Sequence, residues 1–160
     1  MKKVAVFTVV FALSVALGTF VAPQVLQAQQ QSQLGTAAEA KAMLEKAVAA
    51  VKADQTKALA MFNNGEGGFK DRDLYPFCFD SGTGTVAATP AKNLIGTDVR
   101  ALKDKTGKLF GEDLYRAAQK STVTEVSYMF PRPGTDTTPV EKISYVTKVG
   151  NLGCGVGYYK

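Results

Sequence analysis

The chain contains no histidine. That removes Ser-His and Cys-His nucleophile systems and His ligation of zinc, iron or haem. The remaining acid–base candidates are carboxylates in loops: Asp71 with Asp73, Asp104, and Glu112 with Asp113. Such groups become acid–base catalysts only when burial shifts one of them, and their setting beside Gly and Lys reads more simply as solvated turns. Gly82-Thr83-Gly84 and the stretch from Gly153 to Gly157 lack the helix that would make either a phosphate or dinucleotide loop. Two cysteines without a histidine make a poor zinc shell. The chain is therefore read as a non-enzyme with no cofactor and no metal, and binding is the chemistry left. Tyr128, Phe130 and Arg132 alternate, so they share one strand face running into Pro133, and Lys142 and Ser144 share another. The plain alternative is that Tyr128 and Phe130 are core aromatics and that Lys142 snorkels to water.

Export bears on this chemistry. Lys2 and Lys3 precede an apolar run from Val4 to Ala22, which dissolves into Pro23-Gln24-Val25-Leu26-Gln27-Ala28 and a glutamine cluster. That is the form of a secretory signal peptide, expected over 1–28 with cleavage after Ala28. The rival reading is an uncleaved anchor, since the run is just long enough to span a bilayer; Gly18, Pro23 and the small residue at the cut favour cleavage. The mature protein is expected in the periplasm or secreted. Cys78 and Cys154 would then read as a disulfide, with two buried free thiols as the alternative. The net charge of +5 is scattered among acids with no basic stripe, so nucleic acid is not an expected partner.

The elements that must position these residues follow in order. A polar lead-in over 29–35, expected to be disordered, precedes Thr36-Ala37-Ala38-Glu39, which fits a capping box. Ala40, Met43, Leu44, Ala47, Val48 and Val51 then step by three and four along one helix face, resuming at Ala58, Leu59 and Phe62 after a break at Asp54-Gln55. Asn63-Asn64-Gly65 ends this long helix, whose apolar stripe is expected to pack on the protein's own sheet. Strands are predicted at Tyr75–Asp80, Thr85–Ala88, Val123–Phe130, Lys142–Val149 and Leu152–Tyr159, with a short helix over Phe110 to Ala118 between the second and third. Gly150-Asn151 joins the last two strands tightly. The pattern is α+β, with about five strands and a long N-terminal helix.

Five ordered segments carry a resemblance: Leu74-Tyr75-Pro76-Phe77, Ala88-Thr89-Pro90 with Asn93-Leu94-Ile95-Gly96, Tyr128 through Pro133, Lys142-Ile143-Ser144-Tyr145, and Gly155 through Tyr159. Together they resemble the single Cache domain of type 2, an extracytoplasmic sensor module with a PAS-like antiparallel sheet, here over 36–160. The resemblance implies that the first strand lies beside the last, which makes a Cys78–Cys154 bridge geometrically sensible. It implies a ligand pocket built from Tyr128, Phe130, Arg132, Lys142 and Ser144, with Tyr75 and Thr89 at its edge. A cation beside a phenol and an aromatic wall suits a small carboxylate, and family members are associated with short organic acids. Thr89 stands where the family has His, Thr124-Glu125 replace its Gly-Trp, Phe130 its Trp and Arg132 its Asn. The expected function is reversible binding of a short organic acid. With no transmitter segment, the signal would pass through a membrane-bound signalling partner. The alternative is a ligand-free envelope assembly protein that uses the N-terminal helix as its interface, as in a homodimer.

Overall fold

The computed structural model describes residues 34–134 and 137–160. The expected signal peptide and all but the end of the lead-in lie outside the described residues. Helix α1 spans Ala37–Ala53 and α2 Gln55–Asn64. Strands β1 (Pro76–Asp80) and β2 (Val86–Ala88) follow, then α3 (Phe110–Ala117) and strands β3 (Thr124–Pro131), β4 (Pro139–Val149) and β5 (Leu152–Tyr159). Two single 3-10 turns, Lys92–Leu94 and Val99–Ala101, lie between β2 and α3.

The capping box forms as expected: Glu39 N–H donates to Thr36 Oγ1 at 3.2 Å, and Thr36 N–H donates to Glu39 Oε2 at 2.8 Å. The predicted single helix is two. Asp54 adopts an extended conformation, gives its N–H to Ala50 O, and accepts Lys57 N–H on its side chain. It thus closes α1 and caps α2, because a short carboxylate competes with helical backbone for the same donors. Gly65, left-handed at φ 70°, ends α2. Leu34 and Gly35, placed with the lead-in on sequence grounds, already belong to the domain. Gly35 N–H donates to Asp73 Oδ1 and Leu34 O accepts from Arg72.

The five strands form one antiparallel sheet in the order β2-β1-β5-β4-β3. The first and last strands therefore pair inside the sheet, where Cys78 faces Cys154 across the β1–β5 pair and the two are bonded as a disulfide. Strand alternation divides the core. On one face Cys78, Leu152, Cys154 and Val156 pack beneath Ala40, Leu44, Ala47, Val51 and Phe62 of the two helices, so the N-terminal stripe is covered by its own sheet. On the other face Phe79, Val126, Tyr128 and Val146 meet Val86, Val99, Phe110 and Leu114 from β2, α3 and the connection between them. This second layer holds the candidate site.

Candidate functional site

The floor of the second layer is β5, and three of its residues on that face are Gly153, Gly155 and Gly157. A Cβ on Gly155 would come within 2.5 Å of the Phe77 ring and 2.9 Å of Tyr145 O, and one on Gly157 within 2.6 Å of both Lys142 Cε and Ser144 Oγ. The glycines thin the floor so that side chains from β1 and β4 can lie across it. Tyr159 ends the same alternation and pairs with Lys142 of β4.

Lys142 is only 2% exposed. Its Nζ lies 4.6 Å from the ring centre of Tyr159, 4.7 Å from Tyr75 and 5.3 Å from Phe130. It donates one hydrogen bond, to Tyr75 Oη at 3.4 Å. Among the described residues none of the ion pairs involves Lys142. An aromatic cage holds a cation through ring quadrupoles but supplies no balancing charge.

Beside it, Tyr128 Oη and Ser144 Oγ share a hydrogen bond of 2.9 Å. Phe110 stacks on Tyr128 with ring centres 4.2 Å apart and planes 9° from parallel. Burial pushes the Tyr128 phenol well above its ordinary pKa, against the pull of Ser144. Tyr159 is raised too, by burial first, then by the neighbouring Tyr75 and Asp73, with Arg132 opposing. Both stay neutral phenols in ordinary buffers.

Tyr75, Thr89, Tyr128 and Phe130 line a single cavity of about 390 Å³ over this floor. Lys142 and Ser144 are not in its wall; they stand behind Tyr75, Phe130 and Tyr128. Thr89 is buried and committed, its N–H donating to Asn63 Oδ1 and its Oγ1 accepting from Ala91 N–H. Arg132 is exposed, with its guanidinium 6.0 Å from the Tyr159 ring centre, apart from the cavity wall. Of the three aromatics on β1's face and at its entry, Phe79 is fully buried, while Tyr75 and Phe77 are half-buried on the cavity.

Sequence reading missed Phe110, Lys103 and Tyr159. The signal for Tyr159 was available: counting back by twos from it gives Gly157, Gly155 and Gly153, the face that Lys142 shares. It also misjudged two loop carboxylates. Asp104 is buried and accepts from Thr106, Lys108 and Met129, which pull its pKa down with the Thr106 hydroxyl foremost. Asp73 is buried under Gly35. Both fasten loops to the body of the domain. Among the described residues no group of three His, Cys, Asp or Glu side chains is placed to hold a metal ion.

A family model for Single Cache domain 2 matches residues 19–159. The chain belongs to that family. The match begins ahead of Thr36, within the apolar N-terminal stretch. Three solved structures share the Cache fold. A methyl-accepting chemotaxis protein from Vibrio parahaemolyticus is 22% identical with a TM-score of 0.58, over 84% of this chain and 90% of that one. The periplasmic sensor domain of a chemotaxis protein is 23% identical with a TM-score of 0.57, over 86% and 99%. A Cache chemosensory domain studied for its carboxylic acid recognition is 21% identical with a TM-score of 0.57, over 84% and 95%. A comparison with curated proteins finds no match. Cache domains are extracytoplasmic ligand-binding sensor modules. In this one no helix among the described residues is long and apolar enough to cross a membrane.

Proposed function

We propose that this Cache domain is an exported receptor module that reversibly binds a small organic acid in the cavity beside Tyr75 and reports occupancy to a membrane-bound signalling partner. The observation that carries the reading is the buried, caged ammonium of Lys142, which forms no ion pair among the described residues. Tyr75 Oη accepts from Lys142, which leaves the phenol's own proton free to be donated into the cavity. A ligand carboxylate accepting that proton would stand about 6 Å from Nζ, where at an effective dielectric of about 20 the attraction is about 3 kcal/mol. The acid thus supplies Lys142 with a partner charge on the cavity side. Tyr128, Phe130 and Thr89 bound its body, Ser144 fixes the Tyr128 hydroxyl, and Arg132 at the rim attracts the incoming anion.

The alternative of a ligand-free assembly protein is less well supported. Exposed positions of α1 are Glu39, Lys41, Glu45, Lys46 and Lys52 among alanines, with no large apolar residue to seed an interface core. A thermal-shift screen of organic acids tests the proposal. A ligand at 100 times its Kd adds about 2.7 kcal/mol of stability. Tyr75→Phe, which keeps the ring and deletes the donor, is expected to weaken acid binding roughly 10-fold or more, as for a hydrogen bond to a charged group. If no acid shifts the melt, or Tyr75→Phe binds as wild type does, the reading fails.

A further inference from the structure

Resting on that reading, we infer that the ligand is a monocarboxylate with a large apolar body, an aromatic or medium-chain acid, rather than one of the two- or three-carbon acids that sequence resemblance suggests. The cavity's 390 Å³ corresponds to about thirteen atoms of water size at about 30 Å³ each, so acetate or pyruvate would fill less than half of it. The space left over would not be comfortably wet. Phe77, Val86, Val99, Leu102, Phe110 and Leu114 bound it, and none offers a hydrogen bond from its side chain.

The polar side chains of the wall are Tyr75, Thr89, Asn93, Lys103 and Tyr128, of which Asn93 and Lys103 are exposed and lie toward solvent. Tyr128 Oη is shared with Ser144, and Thr89 is tied to Asn63 and Ala91. Among the described residues no Asp or Glu lines the cavity, so none of them there balances the ammonium of an amino acid. A hydroxyl or second carboxylate buried deep in it would lose its water without replacement. Among the described residues the charged side chain in the wall is Lys103, which is exposed at the mouth. One end of the site therefore recognises a single anionic group through Tyr75 and Lys142, and the rest recognises bulk and apolarity.

The experiment is calorimetric titration of the exported full-length protein with two series, acetate through octanoate and benzoate through 3-phenylpropionate. Controls are malate, suberate, phenylalanine and 2-phenylethanol. Affinity is expected to rise about fourfold per added methylene, the equivalent of ~0.8 kcal/mol per buried CH2, until the cavity is full. The hydroxy diacid, the amino acid and the alcohol should bind at least tenfold more weakly than 3-phenylpropionate. Acetate or propionate binding as tightly as the long acids would overturn this inference and leave the proposed function standing. So would suberate outbinding octanoate, since it would make Lys103 a second carboxylate site. Silence across every acid would overturn both.

Discussion

Lys142 sits where a hydrophobic residue would be expected on stability grounds alone. Its neighbours are the rings of Tyr75, Phe130 and Tyr159 and the edge of Gly157, and a buried ammonium with one long hydrogen bond is expensive to desolvate. Replacing a buried charge with an apolar side chain of similar shape is often neutral or stabilising. We therefore expect Lys142→Met to melt at or above the wild-type temperature while losing the stabilisation that acids give. A variant that melts lower and still responds to acids would show that Lys142 is a structural residue. Much of this site was readable from alternation: Tyr128 shares a face with Phe130, and Lys142 with Ser144, because strand period fixes each pair. What alternation could not supply was depth. It cannot tell that Lys142 and Ser144 lie behind the wall, that Arg132 lies outside it, or that Phe110 arrives from another element to stack on Tyr128.

At the scale of elements, the junction of α1 with the 71–74 loop is built from charge. Glu39 accepts from Arg72 and from Thr36, and the Arg72 guanidinium, the larger influence, helps hold its carboxyl at about 2 against an ordinary value of 4.5. A lowered carboxyl pKa contributes stability that is complete above the ordinary value and lost as pH falls through the folded one. Asp71, Asp80, Asp98, Asp104 and Glu141 are shifted the same way. The melting temperature should thus be nearly flat from pH 4.5 to about 9, below the ordinary tyrosine value, and drop between 4.5 and 2. Glu39→Gln keeps the capping box but loses the charge, so its acid limb should be shallower; a limb parallel to wild type would count against the assignment. A second element, β5, owes its course to glycine. Gly155→Ala would push a methyl into Phe77 and the backbone oxygen of Tyr145. This should destabilise the domain by about 1–3 kcal/mol in denaturant titration. Strand limits were legible to within a few residues because Pro, Gly and alternation bracket each one. The division of the N-terminal helix was visible only as a break at Asp54-Gln55, since residues on both sides keep the same stripe.

For the molecule as a whole, the sheet order brings the first strand, β1, beside the last, β5, and the Cys78–Cys154 bond makes that meeting permanent. The cysteines are 76 residues apart in sequence and directly opposed in register. Sequence alone could offer the pair; only the strand order makes them neighbours. Closing so long a loop removes freedom mainly from the unfolded chain, worth about 4 kcal/mol on the chain-entropy model. In a domain of this size each kcal/mol moves the midpoint by roughly 4 °C, so reduction, or the paired change Cys78→Ser and Cys154→Ser, should lower the melting temperature by roughly 15 °C. Because Cys78 and Cys154 pack in the layer under α1 and α2, while Lys142 and Tyr128 lie across the sheet, the native state should keep its strand order without the bond. The loss should then appear as a shifted transition with an unchanged denaturant slope. A steeper slope would mean that the bond also holds the unfolded ensemble compact. An unshifted midpoint would mean that the β1–β5 hydrogen bonds, flanked by β2 and β4, already hold the two ends of the domain without covalent help.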